Sequence, residues 1–369
     1  MAKVVHITSA HPANDMRIFK KEAVSLAAAG HDVTLIARYG SDGIVGNVKM
    51  KALPESKGRL RRFLSVWRPI KLAMAERADI YHFHDPELIL PVIALKLMTG
   101  AKTIYDVHEN VPKSILSKFW IPAALRPPVA AVAGLVEKLG ASIVDGIVAA
   151  TPSIAQRFPA DKTVLVQNMP ITGELDSADP IPYHERGRLV AYVGSITIIR
   201  GINEIVRALE LLPESLGVRL MMAGEFSPLK LERQVRTLDG FKSVDFLGRR
   251  DRREIGELLN KSRIGLVLLH PEPNHIEAQP NKLFEYMSAG IPVIASDFPL
   301  WREIISETGC GLVVDPLDPQ AIADAIVDLL RDPDGAAAMG ARGRQATHSR
   351  YSWAQEAGKL VDLYARLSR

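Results

Sequence analysis

The stretch Glu277-Ala-Gln-Pro-Asn-Lys-Leu-Phe-Glu285, continuing Tyr-Met-Ser-Ala-Gly290-Ile-Pro-Val-Ile-Ala-Ser296-Asp297, decides how this chain is read. Pro280 has the fixed φ that suits a first helical position, where its missing N–H costs nothing. Leu283, Phe284 and Met287 form an apolar stripe at i, i+3/i+4 spacing, and Gly290 followed by Pro292 is a stop signal. Val293, Ile294 and Ala295 then read as a short buried strand. The pattern predicts a helix of about ten residues that starts at a loop and carries Asn281 and Lys282 in its first turn. Unpaired N–H groups and a partial positive charge make such an end an anion site, and phosphate is its usual guest. Glu285, about 7 Å further along the axis, is placed to accept hydrogen bonds from two vicinal hydroxyls, as in a ribose. Glu277, ahead of the helix, falls on the other side of the phosphate, where a transferred sugar would lie. A nucleotide sugar lying across a helix N-terminus fits this arrangement; a plain amphipathic helix with a solvated Glu is the alternative.

Length and composition bound the rest. A chain of 369 residues suggests two domains at roughly 150 residues each. Hydrophobic residues make up 47% and charged residues 24%, an ordinary globular balance. Cys310 is the single cysteine, so no internal disulfide forms, which suits a reducing compartment. Met-Ala-Lys runs straight into a strand-like Val4-Val5-His6-Ile7, without the apolar core of a signal peptide. The apolar region from Ile121 to Val136 is broken by Arg126, Pro127 and Pro128, too early for a membrane span. A cytoplasmic protein is expected.

Strands and helices alternate along the chain. Val4–Ile7, Asp32–Ala37, Ile80–Phe83, Lys102–Tyr105 and Gly146–Ala149 are strand-like, with a helix over Arg17–Ala29 closed by Gly30. Between Asn168 and Arg188 the pattern dissolves into Pro170, Gly173, four acids, Pro180 and Pro182, an irregular linker. A second alternating set follows, with strands at Leu189–Val193, Arg219–Ala223, Val244–Leu247 and Ile264–Leu269. This alternation predicts an α/β protein of two doubly wound, Rossmann-like domains. The boundaries expected are 1–172 and 186–349, with 350–369 as a closing helix.

Three loops of the first half carry chemistry. His11-Pro-Ala-Asn-Asp15 follows the first strand, where ligands reach open α/β sheets. No Gly-x-Gly-x-x-Gly occurs there, so a dinucleotide oxidoreductase is not indicated. His11-Pro12-x-x-Asp15 is also similar to the start of the zinc motif of sugar N-deacetylases, but Ala13 and Asn14 replace its paired aspartates. His82-x-His84-Asp85 puts two imidazoles on one side of a strand. With Asp85 they offer a partial zinc set lacking an obvious third ligand, so a structural or substrate-contacting role is favoured. Asp106-Val-His108-Glu109 ends the next strand at the sheet's carboxyl edge.

Glu277-x7-Glu285 with its Gly-x-Pro-Val-Ile-Ala-Ser-Asp continuation resembles the donor-site motif of the retaining GT-B glycosyltransferases of family 4. The resemblance implies two Rossmann-like domains facing a cleft and a last helix, here with Leu360, Leu363, Tyr364 and Leu367, crossing back to the first domain. It implies that Glu285 holds the ribose, that Glu277 touches the donor sugar, and that His108 contacts the sugar or the reaction centre. Gly194-Ser195-x4-Arg200-Gly201 resembles the family's phosphate loop, usually Gly-Arg-x4-Lys-Gly. Arg200 keeps one cation, Ser195 replaces the other, and Lys282 can supply it. Phe246-Leu247-Gly248 resembles the segment whose backbone pairs with the nucleobase. Asp15 stands in the loop that in the family faces the sugar. Asn281, Ser195, Gly194, Leu247 and Gly248 are thus substrate-side candidates, and His108, Glu277 and Arg200 catalytic ones.

Breaking a glycosyl–phosphate bond puts negative charge on the departing diphosphate, which preorganised cations and a helix N-terminus can stabilise without metal. Asp332-Pro-Asp334 falls in a helix-end turn, so no metal and no cofactor are expected. The resemblance implies retention, with the donor phosphate deprotonating the acceptor; double displacement through a carboxylate stays open. Two rivals share the fold: a nucleotide-sugar epimerase and a non-catalytic nucleotide-sugar binder. Residues 49–77 hold nine basic residues against Glu55 and Glu76, a net +7 in a chain of +4. Leu60, Phe63, Leu64 and Trp67 interleave with them at helical spacing, and Lys118-Phe119-Trp120-Ile121 adds a second apolar patch. That pattern suits peripheral contact with an anionic membrane on its inner face, and a lipid-linked or oligosaccharide acceptor. No nucleic-acid fold surrounds the basic run, so nucleic acid is not an expected partner.

Overall fold

A computed structural model describes residues 1–54, 65–118 and 120–368. The chain divides into two compact units, Met1–Asn168 with Trp353–Arg369, and Met169–Ser352. Leu175 is buried in the core of the second unit and the Arg186 side chain hydrogen-bonds the Ile181 and Ser262 carbonyls. The irregular stretch after residue 168 is therefore part of the second unit's packing.

The first unit is built on strands β1 (Lys3–Pro12), β2 (Asp32–Arg38), β3 (Gly43–Val45), β4 (Val48–Leu53), β5 (Ile80–Phe83), β6 (Lys102–Val107), β7 (Gly146–Ala149) and β8 (Thr163–Leu165). Their order is β3-β4-β2-β1-β5-β6-β7-β8, parallel except for the β3–β4 edge hairpin. The second unit orders β9 (Leu189–Val193), β10 (Arg219–Ala223), β11 (Val244–Gly248), β12 (Ile264–Val267), β13 (Val293–Ser296) and β14 (Gly311–Val314) as β11-β10-β9-β12-β13-β14, all parallel. Each sheet reverses direction of growth beside its first strand, at β1/β5 and at β9/β12. In open α/β sheets the crevice at the carboxyl ends of such a pair is where ligands bind. The predicted loops after β1, β5, β9 and β12 all open there.

Local boundaries differ from the sequence reading. The first helix opens as a π-helical segment, Met16–Ala23, before Val24–Ala28 becomes α-helical. The helix at the deciding stretch spans Asn281–Ser288, eight residues, and Pro280 is its cap with ψ 128. An extended Pro280 outside the helix leaves the first N–H groups of Asn281 and Lys282 as the helix mouth. The last helix, Trp353–Leu367, packs on the first unit: Leu363 and Leu367 lie against Gly146, and Gln167 N–H donates to Glu356 Oε2 at 2.8 Å. The amphipathic stripe expected at Leu60, Phe63 and Leu64, and Phe119, lie outside the described residues; Trp67 opens helix Trp67–Glu76 and is exposed.

Candidate active site

In the second unit the loop after β9 turns at Gly194, whose φ of 121 is open to glycine alone. A Cβ there would stand 3.6 Å from Arg200 Nη1 and 3.7 Å from Lys282 Nζ. Both cations thus close on one bare piece of backbone. Lys282 is buried, with its ammonium 4.1 Å from the centroid of Tyr192. Burial first, and then Arg200, pull Lys282 down to about 7, against the opposing charge of Glu285. Among the described residues no carboxylate forms an ion pair with Lys282 or Arg200. Two unneutralised cations held together cost free energy that an anion between them returns.

Glu285 lies one turn deeper, half-buried, and Arg252 Nη1 donates to its Oε1 at 2.8 Å. The same guanidinium donates to Glu174 Oε2, also at 2.8 Å. Arg252 starts helix Arg252–Lys261, which Asp251 and Glu254 close with a reciprocal capping box. The sequence reading missed Arg252 because it is one arginine in the run Arg249-Arg250-Asp251-Arg252-Arg253; only the fold singles it out as the one that reaches Glu285. Asn281 is exposed in the helix's first turn. Ser195 is exposed too, and its carbonyl accepts the Tyr192 hydroxyl at 2.8 Å. Leu247 is half-buried at the end of β11, and the Gly248 carbonyl accepts from Gly224 N–H at 2.9 Å. Glu277 is half-buried where the short helix Pro273–Ile276 ends. The structure therefore gathers Gly194, Arg200 and Lys282 at one point, with Glu285 and Arg252 beside them.

In the first unit the sheet assembles histidines that the sequence showed only in pairs. His6 lies on β1, His82 on β5 and His84 just past it, while His108 follows β6; the first three are fully enclosed. His84 Nδ1 is 3.2 Å from His108 Nε2, and His84 Nε2 is 2.9 Å from His6 Nδ1. Tyr364, on the last helix, places its hydroxyl 2.8 Å from His82 Nδ1 and 3.4 Å from His6 Nε2. A hydrogen-bonded chain thus runs from the returning helix to His108. Burial pulls His108 down to about 3 despite the raising effect of Asp106, so its imidazole is neutral at physiological pH.

The third ligand missing beside His82-x-His84 is supplied in space rather than in sequence. Ligand-type atoms of His6, Glu22, His82 and His84 converge, as do those of His84, Asp106 and His108. Arg17, however, lies among them, its Nε 2.9 Å from Glu22 Oε1 and its Nη2 3.1 Å from Asp106 Oδ1. Burial resists ionisation of Asp106, but Arg17, His108 and His84 outweigh it and hold the carboxyl well below the usual range. Burial and the Asp106 charge push Glu22 well above its ordinary value. The guanidinium supplies the positive charge that a metal would bring. Asp85 is committed elsewhere, accepting from Thr8 Oγ1 at 2.8 Å and from Ser9 N–H at 2.6 Å. Asp15 caps the first helix by accepting from the Arg17 and Ile18 N–H groups, and lies 3.2 Å from His11 Nδ1.

Beside His108 a cavity of about 1130 Å³ opens within the first unit. His11, His84, Asp85, Asp106 and His108 line one part of it; Ile89, Val111, Ile115, Val129, Ala133 and Val136 are among the apolar residues lining the rest.

Two doubly wound sheets, with a phosphate-type cation pair and an acidic residue one turn deeper in the second, define a GT-B protein that takes a nucleotide sugar. The family model of glycosyl transferases group 1 matches residues 178–346, and that of Glycosyltransferase Family 4 matches residues 20–168. Together these models span most of both units, and the chain belongs to glycosyltransferase family 4. It is similar to a glycogen synthase of Mycobacterium tuberculosis, at 24% identity over 98% of this chain and 84% of the relative. It is similar also to a phosphatidyl-myo-inositol mannosyltransferase of Mycolicibacterium smegmatis, at 25% over 93% of this chain and 87% of the relative. Its fold matches sucrose-phosphate synthase from Thermosynechococcus elongatus with a TM-score of 0.81, at 20% identity and covering 99% and 98% of the two chains. WaaG, a glycosyltransferase involved in lipopolysaccharide biosynthesis, matches with a TM-score of 0.74 at 18% identity, covering 98% and 99%. The protein is a retaining glycosyltransferase using a nucleotide-sugar donor, and the epimerase reading is set aside.

Proposed function

We propose that the second unit binds the diphosphate of a UDP- or GDP-sugar between Arg200, Lys282 and the bare backbone at Gly194, and that the first unit presents a lipid-linked or saccharide acceptor. The observation that carries this reading is the convergence on Gly194 of two cations that have no carboxylate ion-pair partner among the described residues. Glu285, held by Arg252, takes the ribose hydroxyls, and the carbonyls near Leu247 and Gly248 lie on the base side. As the sugar–phosphate bond lengthens, Arg200 and Lys282 meet the negative charge growing on the leaving oxygen, and the helix mouth at Asn281 adds its N–H groups. In the first unit His108 is a neutral hydrogen-bonding group for the sugar, and in the second unit Glu277 is the acid on the donor-sugar side. The acceptor oxygen bonds to the anomeric carbon on the face from which the diphosphate departs, and its proton passes to the departing phosphate oxygen, so configuration is retained; the protein cations make a metal unnecessary.

The product class is a polysaccharide or glycoconjugate, made by a cytoplasmic enzyme that visits the inner face of the membrane. No described helix is long and apolar enough to cross a membrane. Support for peripheral contact comes from the exposed apolar residues Leu125, Val129, Val132, Leu135 and Leu139, spaced along one face of the region ending in helix Arg126–Ile143. An interfacial helix shows this kind of face.

Calorimetry with UDP and GDP tests the donor side. Arg200→Ala and Glu285→Gln are each expected to lose a charge-assisted contact worth about 1.5–3 kcal/mol, roughly ten- to hundredfold in affinity. Arg252→Ala should weaken binding through Glu285 without touching the diphosphate. Unchanged affinity in all three variants would remove the assignment. Incubation with UDP-, GDP- and dTDP-sugars and a membrane lipid extract then identifies the acceptor by acceptor-dependent nucleotide release.

A further inference from the structure

The chamber beside His108 is larger than a sugar needs. At about 1130 Å³ it is at the upper end of ordinary ligand pockets. Its polar groups are mostly committed to protein partners: Asp85 to Thr8 and Ser9, Asp106 to Arg17, and Glu137 to Arg157 and Tyr105. What it offers a guest is hydrocarbon, from helices Ile89–Thr99, Val111–Leu116 and Arg126–Ile143. The apolar lining continues outward through Trp67, Leu90, Trp120, Val129 and Val132, which are 54%, 56%, 42%, 41% and 62% exposed. Among the described residues Lys118 is the one lysine or arginine lining the chamber, its ammonium 5.7 Å from the Trp120 ring centroid. One part of the chamber is therefore a histidine-lined reaction wall, Lys118 stands on its lining, and a continuous apolar wall leads out to an apolar, exposed rim.

We infer that this chamber takes the hydrocarbon chain of the acceptor, so that the enzyme selects an anionic lipid-linked acceptor by a part of it that does not react. The inference rests on the acceptor-side reading of the first unit given above. The acceptor's hydroxyl end stands at His108, its phosphate reaches Lys118, and the first stretch of chain lies against Ile89, Ile115, Ala133 and Val136. A purely saccharide acceptor would leave this apolar wall wet, which is unfavourable in proportion to its area. Each methylene that the chamber covers is expected to tighten binding by up to about fourfold, and methylenes beyond its length add nothing.

The test is competition between a fluorescent probe, dansyl-undecanoate, and n-alkyl phosphates of increasing chain length, each kept below its micelle concentration. Affinity is expected to climb with chain length and then level off. Ala133→Phe, which fills the chamber, is expected to move the plateau to shorter chains. Val132→Asp, at an exposed position where folding is not at stake, is expected to weaken every chain severalfold. Equal affinity along the series, or a plateau unmoved by Ala133→Phe together with affinities unchanged by Val132→Asp, overturns the inference. Chain-length-dependent binding together with transfer only to soluble saccharides would uphold the chamber and count instead against the lipid-linked acceptor.

Discussion

Lys282 is a buried amine placed beside a second cation, and its behaviour with pH follows from that position. Pulled down to about 7 by burial and by Arg200, it is half protonated near neutrality in the empty site. Its folded value lies below the unfolded one, about 10.5, so between these values the unfolded chain binds more protons. Its contribution to stability therefore rises with pH through that window. A bound diphosphate stabilises the ammonium and reverses the shift. Nucleotide binding is expected to take up a proton above about pH 7, and affinity to fall by up to about tenfold per pH unit there. Calorimetry in buffers of different ionisation enthalpy measures the uptake. Lys282→Met should abolish both the uptake and the slope; a slope that survives would place the titrating group elsewhere.

At the scale of elements, the returning helix does more than cover the first sheet. Its Tyr364 hydroxyl touches His82 and His6, and the chain continues through His84 to His108. Tyr364 thus acts as a positioning residue: it sets which nitrogens carry protons along the chain, and so what His108 presents. Tyr364→Phe keeps the packing and removes that hydroxyl. Turnover is expected to fall by about three- to tenfold, the cost of one hydrogen bond, with nucleotide affinity unchanged. Nitrogen chemical shifts of the histidines should move with it. An unaltered kcat together with unaltered shifts would reduce Tyr364 to packing.

For the whole molecule, the charge ledger of the site predicts independence from metal. Arg200 and Lys282 serve the diphosphate in the second unit, and Arg17 balances the Asp106 carboxylate in the first. Turnover should survive EDTA; loss that manganese restores would overturn the charge argument and point to His84, Asp106 and His108. The proposed membrane contact also belongs to this scale. Liposome sedimentation should show binding that grows with anionic lipid, and Arg59, Arg61 and Arg62 changed to Glu should weaken it, each cation adding on the order of 1 kcal/mol. Binding indifferent to lipid charge would leave the acceptor a soluble molecule.

The sequence by itself determined the two alternating α/β sets and the helix mouth with Lys282 and Glu285. These are properties of short stretches: apolar periodicity, a Gly-x-Pro stop and charge at a helix start act within one or two turns. It could not show that Arg252 reaches back to Glu285 and Glu174, since three segments far apart in the chain meet there. Nor could it show that His6, Glu22, Asp106 and Tyr364 surround the His82-x-His84 pair. Parallel strand order decides this, laying β1 against β5 and β5 against β6, with the returning helix behind. The π-helical start at Met16 and the apolar chamber likewise come from packing between elements, which no local pattern records. Local propensity chose the elements; which side chains share a site was decided by the register of strands that are distant in sequence.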